Sequence, residues 1–414
     1  MEIKTNEKKF NIAIIGGGPA GVMCAIHAAQ NPKNTICIIE QKELLATILP
    51  TGGGRCNIAH KTSDIRQLAS NYPRGEKFLL SPFSSFSTKD TMEFFKRIGL
   101  PLKVMDNDKI FPITENSGDV QRVLINHLNN YPNITVIKAR VFEVRQSGKK
   151  FTIDCHSTTI TAEAVVFATG SNPSGYRLAA SLGHSIVQAK PSLCPLLIRE
   201  RQFNTIPGVS VQNVAIKAFW NSKNVYKTEG DLLFTHKGLS GPAILEISAI
   251  CAEYDISNAD PLKLQVNFVR EEKDKFGAIL RNEINKNSKK TILNVCSKFI
   301  PRFAAQILLE DCDVDIEGKA AELKKIKFDS IVESFTSYVF NVTGRESDKA
   351  MVTAGGVSLK EINNKTMQSK KTPNVYFCGE IMDIDGLCGG FNLQNCWTTG
   401  YVAGSSIKLQ HLPF

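Results

Sequence analysis

Three glycine-rich stretches carry the residue types that can hold a phosphorylated, ring-bearing ligand. In Asn11-Ile-Ala-Ile-Ile-Gly-Gly-Gly-Pro-Ala-Gly21, residues Gly16, Gly18 and Gly21 follow a G-x-G-x-x-G pattern, with Pro19 and Ala20 inside it. The first glycine permits a tight turn, the second lets a pyrophosphate approach the backbone, and the third lets helix pack on strand. Phosphates then fall at a helix N-terminus, where free N–H groups and the helix dipole favour negative charge. Glu40 ends the next apolar run, Thr35-Ile-Cys-Ile-Ile39. It stands at the spacing of about 20 residues at which an acid accepts hydrogen bonds from an adenosine ribose.

The second stretch is Thr51-Gly-Gly-Gly-Arg-Cys-Asn57, a bare backbone strip at Gly53 and Gly54 followed by the fixed cation Arg55, Cys56 and Asn57. Such a strip suits close contact with a flat ring or a phosphate. The third is Asn374-Val-Tyr-Phe-Cys-Gly-Glu380, continuing to Gly389-Gly-Phe-Asn-Leu393. Gly379 and Glu380 at a strand end can hold sugar hydroxyls. Gly390 with Phe391, Asn392 and Leu393 can offer backbone N–H groups to an electron-rich ring edge. Ala164-Val-Val-Phe-Ala-Thr-Gly170 is a further buried run closing on Thr169 and Gly170; by analogy with other dinucleotide-binding sheets, that end lies near the ligand. Two phosphate- and ring-binding ends on one sheet suit a long, two-ended molecule, and FAD has that form.

Other chemistries are disfavoured. Eleven cysteines are scattered without C-x-x-C spacing, so neither a disulfide reductase pair nor a metal set is visible. Reduced thiols and a cytoplasmic setting are expected. Arg55 beside Cys56 is a setting that lowers a thiol's pKa, but a structural thiol is the expectation there. His236, before Lys237-Gly-Leu-Ser-Gly241, is the one candidate for acid–base catalysis. Asp383 and Asp385 read as loop hydrogen-bonders. No second strand-linked G-x-G-x-x-G occurs, so NADH or NADPH would bind transiently against the flavin. The formal charge is +10; because the basic residues are dispersed, a solvated surface is expected rather than a nucleic-acid or membrane surface. Residues Met1 to Phe10 are polar, with no signal-peptide core.

The positioning elements follow from pattern. With 42% hydrophobic and 22% charged residues among 414, the chain reads as an α/β protein of two or three domains. Residues 1–190 make the first part of a Rossmann-type domain and residues 342–414 return to it. Between them lie a β-rich, barrel-like subdomain (191–270) and a small helical subdomain (271–341). Residues Phe78 to Gly99 predict a helix with Phe83, Phe86, Phe94 and Phe95 in the core. Thr135–Val144 and Lys150–Asp154 predict an antiparallel meander.

In order along the chain, Gly16–Gly21, Gly52-Gly-Gly-Arg-Cys-Asn57, Leu232-Leu-Phe-Thr-His236, Gly238-Leu-Ser-Gly-Pro242, Val352-Thr-Ala-Gly-Gly-Val357 and Cys378-Gly-Glu380…Gly389-Gly-Phe-Asn-Leu-Gln394 resemble the BaiN-like, HI0933-like bacterial flavoproteins. The resemblance implies an FAD-binding Rossmann domain interrupted by barrel-like and helical insertions. It also implies that Ala20 and Gly21 meet the pyrophosphate and Glu40 the adenosine ribose. Arg55 to Asn57 would lie near the cofactor, with Val141 against adenine through its backbone. Glu380 would meet the ribityl chain, and Asn392 and Leu393 the flavin ring. The implied activity is hydride transfer from NAD(P)H through FAD to an enone-like or other small acceptor. An aminoacetone-type amine oxidase, an FAD-dependent tRNA-modifying enzyme and a non-catalytic flavin-binding protein are the alternatives.

Overall fold

The computed structural model describes residues 6–156 and 158–409. They divide into two compact units, Met1–Lys190 with Thr353–Phe414, and Pro191–Val352.

The first unit is built on a largely parallel sheet. The run Ile12–Ile15 is buried on both faces, as a central parallel strand requires. It belongs to strand Asn6–Ile15, flanked by Ile36–Glu40 on one side and Thr158–Phe167 on the other. Ile134–Lys138 extends the sheet beyond Ile36–Glu40. The outer edge of Thr158–Phe167 is shared. Its first half pairs with antiparallel Lys150–Asp154, which pairs in turn with Glu143–Ser147. Its last residues pair in parallel with Val375–Phe377. Register aligns Ile15 with Ile39 and Phe167, and Phe167 with Phe377. The carboxyl ends of four parallel strands therefore open side by side, the position at which ligands bind in such sheets.

Every residue of the first helix, Pro19–Ala28, is buried, because the last helix, Phe391–Ser406, covers it. Gly400 makes that approach possible: a Cβ there would stand 2.5 Å from the Ala20 carbonyl oxygen.

The second unit is a closed six-stranded barrel in the order Leu196–Ile198, Gly238–Ser240, Lys223–Phe234, Ser210–Trp220, Leu262–Asn267 and Tyr338–Arg345. Helices Lys273–Lys286, Ile292–Cys296, Arg302–Asp311 and Lys325–Ser337 are inserted before the closing strand. Pro242 starts helix Pro242–Ile250, the first-turn position expected of it. Each unit has its own apolar core.

Three expectations change. Barrel closure carries strand Tyr338–Arg345 across the expected boundary at 341, and the chain rejoins the first unit at Thr353. Residues 78–99 fold as two helices, Glu76–Ser85 and Thr88–Arg97. A capping box breaks them: the Asp90 carboxylate accepts from Ser87 N–H at 2.7 Å, and Ser87 Oγ from Asp90 N–H at 3.5 Å. The four phenylalanines are nonetheless buried. Finally, 135–144 is not one meander strand. Ala139 N–H bonds back to the Glu40 carbonyl at 2.9 Å, so the chain leaves the parallel sheet after Lys138 and enters the meander at Glu143. Period-two alternation is the same in both kinds of strand.

Candidate functional site: a glycine-lined cradle at the carboxyl ends of the sheet

The turn after Asn6–Ile15 sets the site. Gly16 has φ +108, and a Cβ on Gly21 would stand 2.0 Å from the Gly16 carbonyl oxygen. Turn and helix are packed backbone to backbone, and only glycine permits it. Gly18 caps the helix without a side-chain hydrogen bond, and Pro19 occupies the first turn. The first-turn N–H groups of Ala20 and Gly21 therefore face the strand ends, as an anion site requires.

Glu40 is tied into this turn. One carboxylate oxygen accepts from Gly17 N–H at 2.7 Å and the other from Lys42 N–H at 2.8 Å. The sequence reading assigned Glu40 only to a ribose. Here its first task is to brace the phosphate turn, and each oxygen retains one lone pair for a hydroxyl. Val141 is buried just past Ile134–Lys138, the strand that pairs with the Glu40 strand. Thr169 and Gly170 follow the neighbouring strand end, and no atom lies within 4 Å of a Cβ placed on Gly170.

The third stretch closes on the first. A Cβ on Gly379 would meet Ala20 Cβ at 2.8 Å, while Gly379 N–H donates to Thr399 Oγ1 at 2.9 Å. The start of the last helix has no side-chain cap at Gly390, which leaves first-turn N–H groups of Phe391, Asn392 and Leu393 as donors. The Asn392 side chain is already engaged: its Oδ1 accepts from Gly386 N–H and its Nδ2 donates to the Gly386 carbonyl, both at 2.8 Å. That side chain retains one N–H and one lone pair beside its backbone N–H.

The second stretch is joined to that helix. Trp397 Nε1 donates to the Ile58 carbonyl at 3.0 Å, Tyr72 Oη donates to the Phe391 carbonyl at 2.6 Å, and His60 stacks on Phe391 at 4.8 Å. Gly53 and Gly54 have no atom within 4 Å of a built Cβ, so their backbone is open to contact. Arg55 lies over the Phe111 ring at 4.7 Å, pairs with Glu115 at 3.3 Å and donates to the Gly52 carbonyl at 3.2 Å. Cys56 is a structural thiol: burial pushes it up to about 12, despite Arg55 beside it. This residue, at φ +60, turns the chain under the strip. Asn57 Oδ1 is buried without a partner.

His236 belongs to the second unit, where it is exposed in the barrel turn Thr235–Gly238, closed by Thr235 N–H to the Gly238 carbonyl at 2.8 Å.

Sequence reasoning named Glu380 for sugar hydroxyls and Asp383 and Asp385 as loop hydrogen-bonders, and missed Tyr176 and Arg74, which the fold brings beside them. Glu380 is half-buried; loss of water, then the nearby charge of Asp385, pushes it up to about 7. Asp385 is fully buried against Arg74 in a two-pronged ion pair. Asp383 Oδ1 and Tyr176 Oη are buried without partners. The only signal in sequence was the density of acids after Gly379.

A bare phosphate turn, an open glycine strip, an uncapped second helix start and orphaned polar atoms in one unit fit FAD along its length. Ala20 and Gly21 would hold its pyrophosphate, and residues 391–393 its ring. Bound there, FAD supplies hydride and one-electron chemistry, while the chain supplies orientation. Among the described residues no group of three or more His, Cys, Asp or Glu is placed to hold a metal. No helix among them is long and apolar enough to cross a membrane.

Comparison with known proteins gives the family. The family model for the HI0933-like protein Rossmann domain matches residues 10–406. The chain belongs to the HI0933-like family. It is a Rossmann-type flavoprotein oxidoreductase. It is 30% identical to the 3-dehydro-bile acid delta(4,6)-reductase of Clostridium scindens, over 95% of this chain and 98% of the relative. It is 25% identical to the ribosomal RNA dihydrouridine synthase of Escherichia coli, over 97% of this chain and 98% of the relative. Among solved structures, a mutant of E. coli quinol fumarate reductase FrdA shares the fold, with TM-score 0.50 and 13% identity over 97% of this chain and 70% of that one.

Proposed function

We propose that this flavoprotein takes hydride from NADH or NADPH and saturates a carbon–carbon double bond conjugated to a carbonyl. The observation that carries the reading is the joining of three glycine-rich segments into one FAD-shaped cradle, in a chain matched end to end by two relatives whose names describe related chemistry. A 3-dehydro delta(4,6) steroid is a dienone, and making dihydrouridine saturates a ring double bond next to a carbonyl. Both acceptors need hydride at the far carbon and a proton at the near one.

Anaerobic mixing with NADH, then NADPH, tests the donor. Bleaching of the flavin band near ~450 nm is expected. A flavin-loaded protein that neither donor bleaches would sink the NAD(P)H reading and turn attention to amine oxidation or a non-catalytic role. A steroid dienone and a uridine-containing RNA then test the acceptor.

The RNA acceptor is a second reading, supported by the distribution of charge. The first unit has 28 Lys and Arg against 19 Asp and Glu, and the second 22 against 21. A net +9 on the FAD-holding unit favours a polyanion by long-range attraction. Turnover of RNA that falls steeply with salt would select this reading; turnover of the dienone alone would remove it.

A further inference from the structure

The cluster beyond Gly379 has a composition opposite to that of the phosphate turn. Glu380, Asp383 and Asp385 follow one strand end, Val375–Phe377. Helix Pro173–Ser181 follows the adjacent strand end, with Phe167 paired to Phe377. A Cβ on Gly175 would come within 1.9 Å of Thr169 Oγ1 and 3.1 Å of Ile381 Cδ1. That contact seats the helix against the 379–385 segment and brings Tyr176, the next residue, to the acids.

Tyr176 is 8% exposed and its hydroxyl has no hydrogen-bond partner. Burial, then Glu380 and Asp383, push the phenol up to about 12, so it remains a neutral donor. Burial raises the Asp383 carboxyl above its ordinary value, and its Oδ1 is buried and unpartnered. Asp385 is different, because Arg74 neutralises it. The titratable groups around Tyr176 are thus Glu380 and Asp383, with Arg74 and Asp385 behind them and Cys396 against Glu380.

A buried polar group without a partner costs stability, about 1–3 kcal/mol in general. Phosphate cannot relieve it here, because carboxylates repel phosphate. Neutral hydroxyl groups can: each donates to a carboxylate and accepts from the phenol. The cluster stands next to Gly379, which touches Ala20 of the phosphate turn, so the same ligand must run from phosphate to polyol.

We infer that Tyr176, Glu380 and Asp383 form the seat of the ribityl chain of FAD, Tyr176 Oη and the Asp383 carboxylate fixing hydroxyl groups that Glu380 alone cannot hold. This inference rests on the FAD reading and extends it to two residues outside the glycine motifs. Tyr176 and Asp383 are positioning residues: they set the angle at which the ring leaves the phosphate turn.

The test compares two ligands on full-length protein stripped of flavin. FAD binding is read by quenching of flavin fluorescence. ADP, which has the adenine, ribose and pyrophosphate but no ribityl chain, is read by calorimetry. Tyr176→Phe and Asp383→Asn are each expected to weaken FAD about tenfold and leave ADP within about twofold, one lost hydrogen bond to a hydroxyl being of that order. Both variants keep the shape of the native side chain, and melting of the apo-protein checks each fold. FAD affinity unchanged in both variants would overturn the inference, as would an equal loss of FAD and ADP affinity. Wild-type protein that binds ADP but not FAD would overturn the FAD reading itself and this inference with it.

Discussion

The two units solve different problems with different residues. The inserted barrel closes on itself through antiparallel pairing, and its charges nearly cancel. Its tight contact at Gly238, where a Cβ would meet the Leu196 carbonyl oxygen at 2.1 Å, is strand against strand. In the Rossmann unit, glycines instead keep backbone bare at strand ends and helix starts. Buried polar atoms at Asn57, Tyr176 and Asp383 stay unpaired beside them, and the positive charge accumulates there. The Rossmann unit is recognisable by bare backbone at strand ends and helix starts and by its positive charge; buried unpartnered polar atoms occur in both units, at Asn204, Ser334 and Glu346 in the second.

The largest effect should come from the matched glycines. Gly16→Ala places a Cβ 2.3 Å from the Ala168 carbonyl oxygen at a positive φ. It is expected to cost more than about 3 kcal/mol and at least a hundredfold in FAD affinity. Gly238→Ala should destabilise the chain by a similar amount and leave the FAD titration unchanged. If it abolishes FAD binding below its melting temperature, the division of labour between the units fails.

Next comes Arg74→Ala, which removes both guanidinium contacts from the buried Asp385 carboxylate. About 3 kcal/mol should be lost in denaturant unfolding, with Arg74→Lys recovering part of it. An unchanged midpoint would show that the pair is not holding the 381–386 loop.

The pH test follows. Glu380 is raised to about 7 from an ordinary value near 4.5, so the folded apo-protein holds a proton that the unfolded chain has released. Its contribution is complete below that ordinary value and is lost as pH rises through about 7, amounting to at most about 3 kcal/mol. His27 works against it. Burial first, then Arg97 and His127, lower it to about 4, so its contribution is lost as pH falls from about 6.5 toward 4. The wild-type slope therefore mixes both signs. The difference between wild type and Glu380→Gln isolates the first, and it should grow as pH drops from 7 to 5.

The smallest effect belongs to Arg55→Ala. Its pair with Glu115 is exposed, so stability should change by less than about 1 kcal/mol. Any loss beyond that in FAD affinity would measure its contact with the ligand.

Much of this was legible in the chain. The continuous apolar run Ile12–Ile15 and the spacing of Gly16, Gly18 and Gly21 report a buried parallel strand and a phosphate turn directly, because steric limits act within a few residues. Ser87 and Asp90 also spelled out a helix break, overlooked beside the four phenylalanines. Other features had no local sign. The burial of Cys56 that keeps its thiol protonated beside Arg55 is one of them, since sequence adjacency does not report burial. Thr135–Val144 looked like one strand, since alternation cannot say which neighbour a strand will pair with.

The sequence by itself determined the fold class, the three glycine-rich segments and the kind of ligand they suit, since those depend on backbone conformation and short-range pattern. Tertiary structure alone decided that Glu40 braces the phosphate turn, that the Asn392 side chain is tied to Gly386, and that Tyr176 lies near Glu380 and Asp383. The last relation joins residues about two hundred positions apart. It exists because paired strands Thr158–Phe167 and Val375–Phe377 bring two distant loops together, where burial and electrostatics are properties of the neighbours rather than of the residue.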